Sequence, residues 1–171
     1  MEEFSLNSFN LTDKVVLITG GASGLGQYYT QAVSKVGADV FIVSYDRQGW
    51  EETRAAVETN GRKAVFMLQD ITEPGAAKKI VQQAMQEFGR IDVLINNAGM
   101  QRRHELVEFP DEDWKAVIEL NLNALYYLSH EVAKIMIEQK AAKSSISVPC
   151  SPIGRASSSS RTRQASMQSW D

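Results

Sequence analysis

A single cysteine, Cys150, stands in the 171 residues, so no internal disulfide framework is available and a reducing compartment is expected. Long apolar runs are missing as well. Nothing approaches the ~20 consecutive apolar residues that a membrane-spanning helix needs. Charge of one sign is scarce: 18 Lys plus Arg face 21 Asp plus Glu, a formal net charge of -3. That balance excludes strong non-specific attraction of the whole chain to nucleic acid or anionic membrane. A basic leader is also absent. The chain opens Met1-Glu2-Glu3, acidic where an export signal is basic, and a cytoplasmic location is expected. What is present is ordinary for one soluble domain, with 43% hydrophobic and 23% charged residues.

The charge is unevenly placed. From Ala141 onward one residue is acidic, Asp171, against four basic ones, Lys143, Arg155, Arg161 and Arg163. Ten of those last 31 residues are Ser, and Pro149 and Pro152 fall among them. Such a segment has no apolar periodicity and cannot bury enough surface to offset chain entropy. The expected organisation is therefore an α/β domain over 1–140 and a disordered Ser/Arg-rich tail over 141–171.

Within the first 140 residues short apolar runs alternate with helical patterns. Lys14 to Thr19, Asp39 to Ser44, Lys63 to Leu68 and Asp92 to Ile95 read as strands, the first buried on both faces. Leu25, Tyr29, Ala32, Val33 and Val36 recur at helical spacing after the first strand, ended by Gly37. Glu51 to Asn60 reads as a second helix, and Ile80, Ala84 and Phe88 mark the buried stripe of a third. A long helix is predicted from about Asp111 to Gln139, with Trp114, Val117, Ile118, Leu125, Leu128, Val132 and Ile135 among its apolar positions. Repeated β-α-β units with short connections predict a parallel sheet, ordered 3-2-1-4, with helices on both faces.

Thr19-Gly20-Gly21-Ala22-Ser23-Gly24-Leu25-Gly26 joins the first strand to the first helix. Glycines permit a sharp turn and let backbone amides approach a ligand that a Cβ would hold off. The helix N-terminus beyond offers unpaired N–H groups and a partial positive charge suited to pyrophosphate. The strand–loop–helix setting points to a nucleotide. No Gly-Lys-Ser/Thr follows, as a P-loop requires, and no acidic residue ends the second strand, as a methyltransferase loop would want.

Thr19 to Gly26 resembles the cofactor signature of the short-chain dehydrogenases/reductases, and Asn96-Asn97-Ala98-Gly99 their second signature. The resemblance extends to Asp70-Ile71 after the third strand and to Asn121, which falls at the family's catalytic asparagine. It implies a Rossmann-type sheet and a nicotinamide cofactor contacted by Gly20, Ala22, Ser23, Gly24, Leu25, Gly26, Ser44, Asp70, Ile71, Asn97, Ala98 and Gly99. No metal is implied. Asn96 to Arg103, followed by Glu108-Phe109-Pro110 and Trp114, is similar to the family's sugar-acid branch. That branch holds the 2-deoxy-D-gluconate 3-dehydrogenases (2-dehydro-3-deoxy-D-gluconate 5-dehydrogenases) and the gluconate 5-dehydrogenases. Arg102 and Arg103 then become candidates for gripping a substrate carboxylate, or else simply pair with Glu105 and Glu108. For the cofactor, Asp46 serves NAD if the loop folds back, whereas Ser44 and Arg47 equally suit the phosphate of NADP. The resemblance favours NAD, and it implies a homotetramer for intact relatives.

One part of the family pattern is missing. Its proton relay needs Tyr-x-x-x-Lys on one helix face, with a serine orienting the substrate. Four positions after Tyr28, Tyr29, Tyr45, Tyr126 and Tyr127 stand Ala32, Val33, Gly49, His130 and Glu131. None is lysine. Codons after Lys143, read one base out of frame, supply an explanation. Lys143 to Ser147 permits Ile-Ile-Asn-Ile, Val148 to Ile153 permits Ser-Met-Leu-Ser-Tyr, and Ser160 to Asp171 permits Ala-Tyr-Thr-Ala-Ser-Lys-His-Ala-Val-Val-Gly. Met167-Gln168 forces Ala and Trp170-Asp171 forces Gly, without codon freedom. The tail then reads as the frameshifted remainder of a truncated dehydrogenase, with an RNA-binding Ser/Arg segment as the rival account. On this reading the chain is inactive, or a non-catalytic nucleotide-binding fragment. The strand from Asp92 becomes an open edge, and Leu125, Leu128 and Val132 face water, so poor solubility or irregular association is expected.

Overall fold

A computed structural model describes residues 9–139 and 145–147. Five parallel strands form one sheet in the order β3-β2-β1-β4-β5. They are β1 (Val15–Thr19), β2 (Asp39–Ser44), β3 (Ala64–Leu68), β4 (Val93–Asn96) and β5 (Ser145–Ser147). The helices are α1 (Gly24–Lys35), α2 (Trp50–Thr59), α3 (Ala76–Phe88), α4 (Asp111–Ile118) and α5 (Leu125–Glu138), with a π-helical stretch at Glu119–Ala124 between the last two. The predicted order 3-2-1-4 and the Rossmann-type layering are both present.

Every residue of β1 is buried, as a central parallel strand requires. Alternation sorts the core into two layers. Leu17, Phe41, Val43 and Leu94 pack on one face with Ile80 and Ala84 of α3 and Leu128 and Val132 of α5. Val16, Ile18, Val40 and Ile42 pack on the other with Trp50 and Val57 of α2.

The face that α1 buries differs from its apolar spacing. Gly26, Thr30 and Ser34 are buried, while Leu25, Tyr29 and Val36 are exposed. Of the predicted positions only Val33 packs against the core. Small residues win this face because Gly26 and Thr30 abut the glycine loop and Ser34 meets the end of α2, where its hydroxyl accepts from Asn60 Nδ2 at 2.9 Å.

Two further expectations are corrected. Residues 145–147 are not structureless: they pair parallel with β4, Val93 opposite Ser145, Leu94 opposite Ile146 and Ile95 opposite Ser147. The strand from Asp92 is therefore not the expected open edge: its outer N–H and C=O groups need partners that any extended segment supplies, whatever its composition. The rest of the tail, 140–144 and 148–171, lies outside the described residues. Nor do Leu128 and Val132 face water, since both are buried beneath α3 and the sheet. The exposed apolar residues of this long helical stretch are Trp114, Leu122, Tyr126, Tyr127 and Ile137.

Candidate functional site

The carboxyl ends of β1, β2 and β4 open into a cavity of about 690 Å³. It lies where the sheet order reverses around β1, the position at which open parallel sheets bind ligands. Gly20 and Ser23 line it from the first loop, Ser44 and Tyr45 from the end of β2, Asp70 and Ile71 from beyond β3, and Asn97, Ala98 and Gly99 from beyond β4. Arg102 closes one side, together with Glu119 and Leu120 from the π-helical stretch. The segments singled out in the sequence thus converge on one cavity.

The glycine loop is held from both sides. The buried hydroxyl of Thr30 donates to the Gly21 carbonyl and that of Thr53 to the Ala22 carbonyl, each at 2.9 Å. These carbonyls are satisfied on the helix side. On the β4 side, Asn97 Nδ2 donates to the carbonyls of Thr19 and Gly20 at 3.1 Å. Gly26 is needed for contact: a Cβ there would sit 1.9 Å from the Gly20 carbonyl oxygen. Gly20 itself has φ +63°, a left-handed conformation that glycine adopts without strain. Ser23 precedes α1 in extended conformation with no side-chain cap, so the first-turn N–H groups are not taken by its hydroxyl. A glycine cradle with an uncapped helix N-terminus fits a pyrophosphate.

Of the other loop residues, Ala22, Gly24, Leu25 and Gly26 shape the cradle without lining the cavity. Asp70 Oδ1 accepts both the backbone N–H of Thr72, at 2.8 Å, and its hydroxyl, at 2.7 Å. Beyond β2, Asp46 Oδ1 accepts the Gln48 N–H at 3.0 Å, and its carboxylate pushes the neighbouring Tyr45 phenol above its usual pKa. Arg47 lies over the Phe66 ring, 5.6 Å from its centroid, and is not a cavity residue.

Asn121 does not line the cavity, but its amide is engaged with the loop that leaves β4 and frames it. Oδ1 accepts the Met100 N–H and Nδ2 donates to the Met100 carbonyl, both at 2.9 Å. This pairing falls where the helix widens to π geometry, and it supplies the reason for an asparagine inside a helix. The two arginines separate. Arg102 lines the cavity with its Nε 3.6 Å from Asp113, whereas Arg103 donates to Gln101 at 3.0 Å and lies outside. Neither pairs with Glu105 or Glu108 by any ion pair within 4.0 Å among the described residues. Tyr45, Glu119 and Thr53 are contributors that sequence reading missed. Adjacency to Ser44 and to Asn121 was the available signal for the first two; Thr53 had none. Among the described residues no cluster of His, Cys, Asp and Glu is arranged to hold a metal ion.

Known proteins resemble this chain in sequence and in fold. The family model for short chain dehydrogenase covers residues 14–162. An uncharacterized oxidoreductase of Escherichia coli K12, YgcW, is 41% identical over 84% of this chain and 54% of its own length. The 2-dehydro-3-deoxy-D-gluconate 5-dehydrogenase of Dickeya dadantii is 36% identical over 78% of this chain and 52% of its own. The crystal structure of NAD⁺-bound xylitol dehydrogenase superposes with a TM-score of 0.74 at 26% identity, over 80% of this chain and 52% of that one. The chain spans about half the length of the curated relatives it matches.

Proposed function

This chain belongs to the short chain dehydrogenase family, and from that premise we propose that it is built to hold NAD beside a hydroxy or keto sugar acid. The substrate is of the 2-deoxy-D-gluconate or 2-dehydro-3-deoxy-D-gluconate type. The observation that carries this reading is the convergence of Gly20, Ser44, Asp70, Asn97 and Arg102 on one cavity at the switch point of the sheet. The Gly20–Gly26 cradle and the open start of α1 would hold the pyrophosphate, and Ser44 with Asp70-Ile71 the adenosine. Bound there, the nicotinamide supplies the redox chemistry of the family.

Preference for NAD over NADP rests on charge. A 2′-phosphate needs a cation near the end of β2, and Arg47 is stacked on Phe66, away from the cavity. The Asp46 carboxylate, hydrogen-bonded to the cavity residue Tyr45, would disfavour a phosphate there. At the opposite side Arg102 provides the positive charge that a sugar carboxylate would meet.

The chain itself, on this reading, does not complete the reaction. Its five tyrosines include none with lysine four residues on, so no side chain supplies the proton relay. A one-base shift after Lys143 accounts for the missing pair, and the dehydrogenase activity belongs to the restored frame. A non-catalytic nucleotide-binding fragment is the alternative role for the chain as it stands. The cytoplasm is its expected site, and exposed Leu122, Tyr126 and Tyr127 favour association between chains.

The test uses a purified chain of verified intact mass. Calorimetry is expected to show NAD binding, with NADP weaker, and assays with NAD and gluconate-type acids no turnover. Correcting the frame by one base should bring turnover back. Turnover by the uncorrected chain would overturn the inactivity, and failure to bind either dinucleotide would overturn the site.

A further inference from the structure

Resting on the sugar-acid reading, we propose that Asp113 is a positioning residue that aims the Arg102 guanidinium at the substrate carboxylate, with His104 fixing Asp113 in turn. Arg102 sits in the stretch between β4 and α4, beyond the last residue that a regular element or the Asn121 clasp holds in place, Met100. Its side chain is half exposed, at 53%, and an arginine in that state keeps much of its rotamer freedom. A guanidinium that recognises an anion must be ordered beforehand, or the ligand bears that cost on binding.

The ordering comes from the first turn of α4. Asp113 Oδ1 lies 3.6 Å from Arg102 Nε, and Oδ2 lies 2.7 Å from His104 Nε2. The His104 ring also packs edge-on against Phe109, with centroids 5.1 Å apart. Phe109 in turn packs edge-on against Trp114, next in sequence to Asp113, at 6.4 Å. One carboxylate therefore ties two residues of the loop to a helix whose aromatic neighbour braces the same loop.

The contact chooses a particular edge of the guanidinium. Asp113 approaches at Nε, which leaves the Nη1–Nη2 end as the planar fork that matches a carboxylate with two parallel bonds. No second carboxylate among the described residues pairs with Arg102. Glu119 lines the same cavity, and its carboxylate accepts from Asn123 Nδ2 at 2.7 Å within its own helix. Arg103, held by Gln101 outside the cavity, has no such arrangement. The pair of arginines in the sequence thus divides into one aimed residue and one surface residue.

The experiment compares an anionic ligand with its uncharged counterpart on the full 171-residue chain saturated with NAD. D-gluconate and D-glucitol are titrated by saturation-transfer NMR against the parent chain, Asp113→Asn, Asp113→Glu and Arg102→Leu. The parent should prefer gluconate, and Arg102→Leu should abolish the preference. Asp113→Asn should weaken gluconate about threefold to tenfold, as expected for a partly exposed ion pair, and leave glucitol unchanged. Asp113→Glu should restore part of the loss, and Asp113→Asn added to Arg102→Leu should have no further effect on gluconate. Equal weakening of both ligands by Asp113→Asn would make Asp113 merely structural and overturn the proposal; so would unchanged gluconate affinity. A parent chain with no preference for the anion overturns the sugar-acid reading instead, and the proposal with it.

Discussion

The Thr19 hydroxyl oxygen accepts the backbone N–H groups of both Asn97 and Ala98, each at 3.0 Å, and the Asn97 side chain returns a bond to the Thr19 carbonyl at 3.1 Å. The last residue of β1 and the loop leaving β4 are thereby locked together at the floor of the cavity. Thr19 is 1% exposed, so water does not substitute for its hydroxyl. Replacing Thr19 by Val keeps the shape and removes the acceptor for two donors. The expected cost is about 1–3 kcal/mol of stability for the unpaired donors. Urea melts measure it, and Thr19→Ser should recover most of the loss. Dinucleotide affinity should fall with Thr19→Val as well, since Ala98 lines the cavity.

Gly26 and Gly24 should respond differently to alanine. At Gly26 a Cβ meets the Gly20 carbonyl oxygen at 1.9 Å and Asn97 Nδ2 at 2.6 Å, so the loop must shift off β4. Gly26→Ala is expected to lose dinucleotide binding altogether and to fold poorly. At Gly24 nothing lies within 4 Å of a Cβ, and the cost is the left-handed φ of +54° alone, about 1–2 kcal/mol. Circular dichroism and NAD titration on the two variants check the contrast. Equal behaviour would show that the contact at Gly26 is relieved by an easy adjustment.

Asp92, buried at the amino ends of the strands, gives stability a pH dependence. Burial alone would raise its pKa, but hydrogen bonds from Arg90 and the Val15 N–H, with the charges of Arg90 and Lys14, hold the carboxyl below its usual value. The folded state therefore favours the ionised form. That contribution is complete above the unfolded-state value of about 3.9 and is lost as pH falls through the lower folded value. Asp92→Asn should destabilise by about 1–3 kcal/mol at neutral pH, with the difference shrinking below about pH 4. Denaturant melts of both proteins from pH 7 to pH 3 test it, and a difference that is constant over that range would exclude this linkage.

Gln139 clasps Ile91 in the way Asn121 clasps Met100. Its Oε1 accepts the Ile91 N–H at 3.0 Å and its Nε2 donates to the Ile91 carbonyl at 2.8 Å. Two side-chain amides thus pin the long helical stretch at both ends of β4. Gln139→Ala should cost about 1–2 kcal/mol by leaving both backbone groups unpaired. Hydrogen exchange at the Ile91 amide should accelerate in that variant more than at Leu17 in the centre of β1.

Much of the molecule is legible in its sequence. Strands buried on both faces appear as β-branched runs such as Val15–Thr19, and the α3 stripe of Ile80 and Ala84 follows helical period. Motif residues such as Gly20 and Asn97 are legible because few residue types satisfy a left-handed turn or donate from one short side chain to two backbone carbonyls. These are local demands, and local demands leave a periodic or compositional trace.

Tertiary structure decided the rest. The buried face of α1 went to Gly26, Thr30 and Ser34 over its apolar residues, because close approach to the glycine loop and to the end of α2 outweighed hydrophobicity. Residues 145–147 joined the sheet because the edge of β4 needs backbone partners, and backbone pairing leaves no mark in side-chain composition. Arg102 and Arg103, adjacent and alike in sequence, parted because only one lies within reach of Asp113 and the cavity. Sequence by itself determined the first four strands, their helices and which loops bear the chemistry. Which side chain faces the cavity depends on contacts between segments far apart in the chain, and only packing settles those.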